Sequence, residues 1–278
     1  NRNFEITESN IVVHNSGKGF IKDNLLGVDG KVFDVDELKK MSLKSELINK
    51  RVKKEFGVDL SKLDLKKPEN TTKLHAIVDE IGLSNRQHET MMKSIMAAAP
   101  DRKPNLIFDV TLKSTTKLSN ISAMAKELGY DKSNIHIVWV VNDLDMAIKQ
   151  NAERDRRVDD GILISTHRHV NYQMKDILTG VQNIRNYMDG SFFVAFNKKG
   201  ADSLVVFGKE TINPINKKKS KPKFIEDVVY FQVKEQNKPF KKLNDISTDI
   251  VNRIKARVPD RSIWNGYGND DKVKDLKK

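Results

Sequence analysis

Apolar and polar residues follow two alternating patterns over the first two thirds of this chain. Short apolar runs, typical of buried strands, lie at residues 10–14, 31–36, 106–110 and 135–141. Between them, apolar residues recur every three or four positions, which predicts amphipathic helices. Strands that alternate with helices in this way predict an α/β fold with a mostly parallel sheet.

The run Ile-His-Ile-Val-Trp-Val-Val at 135–141 is nearly continuous in apolar residues. Such a run is expected of a strand that is covered on both faces. The pattern changes after residue 190, where 191–196 and 204–207 flank Asn-Lys-Lys-Gly and predict a β-hairpin. We therefore predict a core over 1–190, followed by a small α+β extension over 191–259.

The extension is predicted to contain the hairpin, a basic loop, one more strand near 228–233 and a helix. Residues 260–278 are mostly polar and predict a tail, with Trp264 and Tyr267 as its candidate anchors.

Composition excludes several kinds of site. The chain has 278 residues and no cysteine, so disulfides, cysteine-based zinc or iron–sulfur sites and thiol nucleophiles are excluded. No apolar run approaches the roughly 20 residues of a membrane helix, and the first residues form no signal peptide. These features predict a cytoplasmic protein without membrane contact. Lysine and arginine number 50 against 38 acidic residues, a net charge of +12 that predicts polyanionic partners.

The segment Ser16-Gly17-Lys18-Gly19 follows the first predicted strand. Glycine lets backbone N–H groups approach phosphate oxygens, and a lysine at this place reaches the outer phosphates of a nucleotide. The segment is therefore a candidate phosphate-binding loop. It departs from the full motif, because Val12 stands at the first glycine position and Gly19 at the Ser/Thr position. The hydroxyl ligand of magnesium is thus unassigned, and Ser16 is a weak candidate for it.

Three further segments carry a family resemblance. Asp34 to Lys39 (DVDELK) matches the motif D-x-D-x-[FL]-[KR], and Asn105 to Lys113 (NLIFDVTLK) matches N-L-I-[IF]-[ED]-x-T-x-[RK]. Arginines follow at 154, 156 and 157. In this order the segments resemble the zeta-toxin family of P-loop kinases, which is close to the polynucleotide-kinase-like and gluconate-kinase-like small kinases. The resemblance covers about residues 10–188 and implies a three-layer P-loop kinase fold.

The resemblance also implies roles for individual residues. Lys18 would bind the β- and γ-phosphates of ATP, and Ser16, Gly17 and Gly19 would complete the ATP site. Asp36 would be the general base that takes the proton of the acceptor hydroxyl. Arg154 and Arg157 would close over the transferring phosphoryl group, with Mg²⁺ accompanying the nucleotide.

Substrate binding is implied for the residues at two strand ends. These residues are Asp34, Asp109, Thr111 and Lys113. Asp109 stands where the family usually has Glu. Physical reasoning agrees with a site there, because open α/β sheets bind ligands at the carboxyl ends of their strands. Phosphoryl transfer, in turn, depends mainly on positioning and charge neutralisation.

Three functions remain open from the sequence. The first is a kinase whose acceptor is a nucleotide sugar, as is typical of the resembled family. The second is a kinase that acts on nucleic acid. It is favoured by the net charge and by the basic run that contains Lys217, Lys218, Lys219, Lys221 and Lys223. The third is a non-catalytic binding or structural protein, which the departures at Val12 and Gly19 favour.

Overall fold

The computed structural model describes most of the chain. The described residues are 10–14, 30–98, 103–196, 205–207, 211–212, 219–220, 223–225 and 229–276. For 10–14, the short strands between 205 and 225, 229–230 and 274–275, the description is of the backbone alone.

A six-stranded sheet forms the centre of the molecule. Its strands are β1 (Asn10–His14), β2 (Gly30–Asp34), β3 (Asn105–Asp109), β4 (Ile135–Val141), β5 (Phe192–Phe196) and β10 (Val229–Lys234). The spatial order is β10-β5-β4-β1-β3-β2. All neighbours are parallel except β10, which pairs antiparallel with β5. The predicted α/β class with a mostly parallel sheet is confirmed.

Four short strands form two separate antiparallel pairs. They are β6 (Val205–Phe207), β7 (Thr211–Ile212), β8 (Lys219–Ser220) and β9 (Lys223–Ile225). β6 pairs with β9, and β7 pairs with β8.

Eight helices lie within the described residues. They are α1 (Val35–Lys44), α2 (Glu46–Phe56), α3 (Pro68–Glu80), α4 (Leu83–Met96), α5 (Thr115–Glu127), α6 (Leu144–Glu153), α7 (Asp160–Leu178) and α8 (Thr248–Arg257). None of these helices is both long and apolar enough to cross a lipid bilayer.

Both faces of β4 are covered, since all seven of its residues are buried. Along its length Ile135, Ile137, Trp139 and Val141 belong to the main core, to which α5, α7 and α8 also contribute. The neighbouring strands continue this core, with Phe33 of β2 stacked on Phe108 of β3 at 4.6 Å between ring centroids. The continuous apolar pattern of β4 thus predicts its burial correctly.

Helices α1 to α3, inserted between β2 and β3, have a small core of their own. Leu38, Val52, Leu74 and Val78 are buried there, apart from the main cluster. The segment between α2 and α3 is tied down by Asn49, whose side chain accepts from the N–H of Leu60 and donates to Asp59. The insertion is therefore a helical unit built beside one edge of the sheet, where β2 is the last strand.

The predicted extension differs from the structure in its strand pairing. The hairpin between 191–196 and 204–207 is wrong, because β5 pairs with β4 and β10 whereas β6 pairs with β9. β5 and β10 are thus members of the main sheet, and α8 packs on the main core although all three lie beyond residue 190. Register with distant strands, which local turn signals do not encode, decides these pairings.

The predicted tail packs on the core. Trp264 is fully buried, and its ring lies nearly parallel to that of Trp139 with 6.5 Å between centroids. Short 3₁₀ helices at Arg261–Trp264 and Asp270–Asp275 give this segment regular structure, and Val273 is buried as well. The anchoring role of Trp264 is confirmed.

The stability of the fold depends on pH through His136, the second residue of β4. Its ring is buried, and Nδ1 accepts a hydrogen bond of 2.9 Å from the backbone N–H of Ser191. Burial, together with the nearby charge of Lys234, lowers the pKa of His136 from 6.5 to about 4. Between these values the unfolded chain binds more protons than the folded chain. The stabilising contribution is therefore complete above pH 6.5 and is lost as the pH falls towards 4.

We expect the free energy of unfolding to fall by about 2 kcal/mol between pH 7 and pH 5 through His136 alone, at about 1.4 kcal/mol per pH unit below the unfolded pKa. Urea denaturation at the two pH values measures the change. The matched variant is His136→Gln, whose amide oxygen can still accept from Ser191 but does not titrate. Identical pH slopes for the two proteins would contradict this assignment.

Candidate functional site

The carboxyl ends of the parallel strands meet at one edge of the sheet, and the strand order changes direction at β1. β3 lies on one side of β1 and β4 lies on the other. In open α/β sheets this switch point is the crevice in which ligands bind. The chain continues from His14, the last residue of β1, directly into 15–19. The sequence thus runs from the switch point into the candidate phosphate loop.

The loop residues themselves, Ser16, Gly17, Lys18 and Gly19, lie outside the described residues. Their assignment to ATP binding therefore stays a prediction.

Asp34 and Asp109 are brought side by side by the sheet register. They are Cα partners at the ends of β2 and β3, and Asp109 is also the partner of Val13 in β1. Paired residues of parallel strands lie on the same face of a sheet. The structure therefore places Asp109 beside the end of β1, and Asp34 one strand further along the same edge.

Asp34 caps the helix that follows β2. Its side chain accepts a hydrogen bond of 2.8 Å from the backbone N–H of Asp36 and so satisfies a donor at the start of α1. The strand predicted over 31–36 ends at Asp34, because the chain turns into helix at Val35, so Asp34 and Asp36 do not share a strand face. Asp34 thus helps to orient Asp36 by holding the first turn of α1 in place.

Asp36 lies in the first turn of α1 and contacts a residue that is distant in sequence. Its Oδ2 accepts a hydrogen bond from the guanidinium of Arg156, which follows the sixth helix. Lys39, one turn further along α1, lies 3.3 Å from Oδ1. The side chain of Asp36 is 46% exposed and that of Arg156 is 16% exposed. Cations therefore contact both oxygens of the Asp36 carboxylate, which is about half exposed to solvent.

Residues 154–157, which include three arginines, contact the inserted helical unit at a second residue besides Asp36. The backbone N–H of Arg157 donates to the carbonyl of Leu65 at 2.9 Å, and its guanidinium pairs with Asp160 at 3.0 Å. Arg154 is exposed and ends α6. Of the three arginines, the structure pairs Arg156 with Asp36, whereas the sequence pointed to Arg154 and Arg157. The local sequence does not indicate which of the three arginines contacts Asp36, because Asp36 lies 120 residues from Arg156 in the sequence.

Thr111 and Lys113 lie in the loop between β3 and α5. The N–H of Lys113 donates to the carbonyl of Thr111 at 3.1 Å, which makes the turn tight, and the side chain of Lys113 is exposed. Because this loop leaves the sheet directly after Asp109, both residues stand at the carboxyl edge. Their role towards a substrate stays a prediction.

The next strand end contributes a second capped helix. Asp143, after β4, accepts from the backbone N–H groups of Asp145 and Met146 at the start of α6. Beside it, the buried His167 hydrogen-bonds through Nε2 to the carbonyl of Asn142 at 3.0 Å, and burial lowers the pKa of this histidine. His167 is thus a neutral structural residue that ties α7 to the carboxyl edge.

No group of three or more potential metal ligands occurs among the described residues. Magnesium commonly binds through one or two carboxylates together with substrate phosphates. Asp109 and Asp34 fit that mode as carboxylates at the carboxyl edge, where Asp109 neighbours the end of β1 and Asp34 neighbours Asp109.

A groove of about 450 Å³ runs along the outer face of α7. Its lining includes Ile164, Arg168, His169 and Tyr172. Among the described residues, none that was predicted for the site lines it, so the groove is separate from the carboxyl-edge residues described above.

Of the basic run after residue 216, Lys217, Lys218 and Lys221 lie outside the described residues. Lys219 and Lys223 lie in β8 and β9, so the prediction of a basic loop is wrong at these two strands.

Comparison with solved structures finds a distant likeness. No protein-family model and no curated protein matches this chain. Among solved structures, the chain is similar to one from a molecular and structural characterization of the PezAT chromosomal toxin–antitoxin system of the human pathogen Streptococcus pneumoniae. The two are 12% identical, the likeness covers 68% of this chain and 67% of that chain, and the TM-score is 0.35. The relationship is coarse and carries no argument about activity.

Proposed function

We propose that this chain is an ATP-dependent phosphotransferase with a P-loop kinase fold of the zeta-toxin type. The reaction moves the γ-phosphoryl group of ATP to a hydroxyl group of an acceptor. The observation that carries the proposal is the contact between Asp36 and Arg156 beside the carboxyl edge of the sheet. It joins a carboxylate suited to accept a proton with a guanidinium suited to bind phosphoryl oxygens.

The strand order supports the same assignment. β1 leads into the segment containing Lys18 at the switch point of the sheet, and β2 leads into the helix that carries Asp36. Lys18 would bind the outer phosphates of ATP, as the lysine of the Gly-Lys pair does in phosphate loops. The nucleotide and the general base would then face each other across the ends of β1, β3 and β2.

Each remaining residue has a role in this arrangement. Asp36 takes the proton of the acceptor hydroxyl. Arg156 orients Asp36, and its positive charge stabilises the γ-phosphoryl group during transfer. Asp34 holds the first turn of α1 in place through its cap, and Asp109 stands beside it on the acceptor side. Bound Mg²⁺ would neutralise phosphate charge, with Asp34 or Asp109 as its carboxylate ligand.

Lys18→Ala tests the nucleotide site. We expect ATP affinity to fall by about 10- to 100-fold, because hydrogen bonds to charged groups contribute about 1.5–3 kcal/mol. The measurement is the rise in melting temperature on addition of ATP and Mg²⁺. Lys54→Ala, which removes an exposed lysine from α2, is the matched control and should leave the shift unchanged.

A non-catalytic binding protein is the alternative, favoured by Val12 and Gly19 at two positions of the phosphate-loop motif. It predicts no ATP-dependent thermal shift in the unmodified chain. That result would exclude the phosphotransferase.

A further inference from the structure

The loop between α6 and α7 closes back on one buried residue of α6. We call residues 154–159 the arginine loop, and Asn151 lies in the last turn of α6 just before it. Asn151 is only 1% exposed. Its Nδ2 donates to the carbonyl of Val158 at 2.7 Å, and its Oδ1 accepts from the backbone N–H of Val158 at 3.0 Å. One side-chain amide thus binds both backbone polar groups of a single loop residue.

The same amide also reaches the first residue of α7. Nδ2 of Asn151 donates to Oδ1 of Asp160 at 2.9 Å, and Oδ2 of Asp160 accepts from the guanidinium of Arg157 at 3.0 Å. An asparagine amide has two N–H donors and one carbonyl oxygen. Both donors and the oxygen of Asn151 are therefore engaged by the arginine loop and the start of α7.

The inserted helical unit binds the arginine loop from another side. The carbonyl of Leu65 accepts from the backbone N–H of Arg157 at 2.9 Å and from Oγ1 of the buried Thr71 at 3.1 Å. Two consecutive loop residues, 157 and 158, thus have backbone groups bound by α6 and by the helical unit. Arg156 directly precedes them, and its guanidinium contacts Asp36.

The contact between Arg156 and Asp36 depends on this backbone support. Arginine has a long side chain with considerable rotamer freedom. Asp36 is about half exposed, and the attraction within an ion pair that is open to solvent is weak. The position of the loop backbone therefore decides where the guanidinium lies more than the charge of Asp36 does.

We propose that Asn151 is a positioning residue that holds Arg156 against Asp36 for phosphoryl transfer. The catalytic consequence rests on the proposed function, whereas the hold of Asn151 on the arginine loop does not. Asn151 acts through Val158 and Asp160, which lie on the far side of Arg156 in the sequence. Groups that stabilise a transferring phosphoryl group have to be held to within about 0.5 Å, which requires such supporting hydrogen bonds.

Asn151→Asp tests the hold on the loop with almost no change of shape. Aspartate keeps an acceptor for the N–H of Val158, but it loses both donors and places a negative charge beside the carboxylate of Asp160. We expect the amide hydrogens of 157 and 158 to exchange with solvent about tenfold faster, because the loop opens more easily. Hydrogen exchange of the full chain, followed by mass spectrometry or NMR, measures the rate. Asn151→Ser removes the amide without adding charge and should give the same result if Asn151→Asp does not fold.

The catalytic consequence is measured as ADP formed from ATP and Mg²⁺, with water as the acceptor. In Asn151→Asp we expect kcat to fall by about 10- to 100-fold, because a displacement of about 1 Å is enough for such a loss. The ATP-dependent rise in melting temperature should persist. In Asn151→Asp/Arg156→Ala, turnover should equal that of Arg156→Ala alone, since a positioning residue has no effect once the group that it positions is gone. Losses that multiply in the double variant would overturn the assignment.

Asn252→Asp is the matched control. Asn252 lies in α8 and is 2% exposed, and its Oδ1 accepts from the backbone N–H of Asn269 at 2.6 Å. The control thus makes the same chemical change at a buried asparagine that binds the tail instead of the arginine loop. Exchange at 157 and 158 and the rate of ADP formation should both stay as in the unmodified chain. Equal effects of the two variants would show that Asn151 acts only through overall stability, which would overturn the proposal.

Hydrogen exchange also separates this inference from the proposed function. If the unmodified chain shows no ATP-dependent thermal shift but Asn151→Asp alone accelerates exchange at 157 and 158, the phosphotransferase is rejected and the hold of Asn151 on the loop is supported. If the unmodified chain turns over ATP and Asn151→Asp changes neither exchange nor kcat, the positioning role is rejected and the phosphotransferase is retained.

Discussion

Replacing Asp36 with asparagine is expected to lower ATP turnover by about 10²–10⁴-fold, the usual contribution of a general base. Asparagine has nearly the same shape and its amide oxygen can still accept from Arg156, but it does not take a proton at neutral pH. Steady-state formation of ADP measures turnover. The ATP-dependent rise in melting temperature should persist, because Asp36 acts on the acceptor and not on the nucleotide.

Two neighbouring variants serve as controls for Asp36→Asn. Glu37→Gln changes an exposed acid that pairs with Lys40 on the outer side of α1 and should leave turnover unchanged. Asp34→Asn keeps a good helix cap and should retain most activity if Asp34 acts through the orientation of α1. If turnover survives in Asp36→Asn, Asp36 is not the base. If Asp34→Asn loses as much activity as Asp36→Asn, then Asp34 acts directly on substrate or metal.

Replacing Trp264 with alanine is expected to destabilise the protein by about 3–5 kcal/mol, the usual cost of removing a large aromatic side chain from a core. The side chain is fully buried against Trp139, a residue of the central strand β4. In a chain of this size the melting temperature should fall by about 10 °C. Thermal unfolding followed by circular dichroism measures the loss.

Trp264→Phe separates packing from polarity. Among the described residues, the indole Nε1 of Trp264 has no hydrogen-bond partner. Phenylalanine removes this unsatisfied donor while it keeps most of the apolar contact, so the loss should be about 1 kcal/mol. A mild effect of Trp264→Ala, close to that of an exposed substitution, would show that 260–276 does not pack on the core in solution.

The strands of the main sheet follow from local pattern. The runs at 10–14, 106–110 and 135–141 became β1, β3 and β4 with bounds that differ little, because apolar residues in such runs have to be buried on both faces. The candidate acids also follow from sequence, since Asp34 and Asp109 end strands and the ends of parallel strands share an edge.

The role of Asp34 shows where local pattern was insufficient. Asp34 and Asp36 alternate as residues on a strand would, but the helix starts between them. An Asp is also typical of a helix N-cap, where its side chain accepts from the backbone N–H two residues later. The helix forms here because the apolar residues that follow have helical spacing. The same two acids are therefore a cap and an exposed carboxylate in the first turn.

The sequence by itself determined the α/β class, the strands β1, β3 and β4 at the centre of the sheet, and the acids and bases available at strand ends, because these depend on periodicity and on the residues next to one another. Only the tertiary structure decided which distant groups meet. It paired Asp36 with Arg156 in place of the neighbouring arginines, put β5 and β10 into the main sheet, and paired β6 with β9 and β7 with β8. Such contacts depend on the packing of whole elements against each other, and residues 120 positions apart leave no local trace of it.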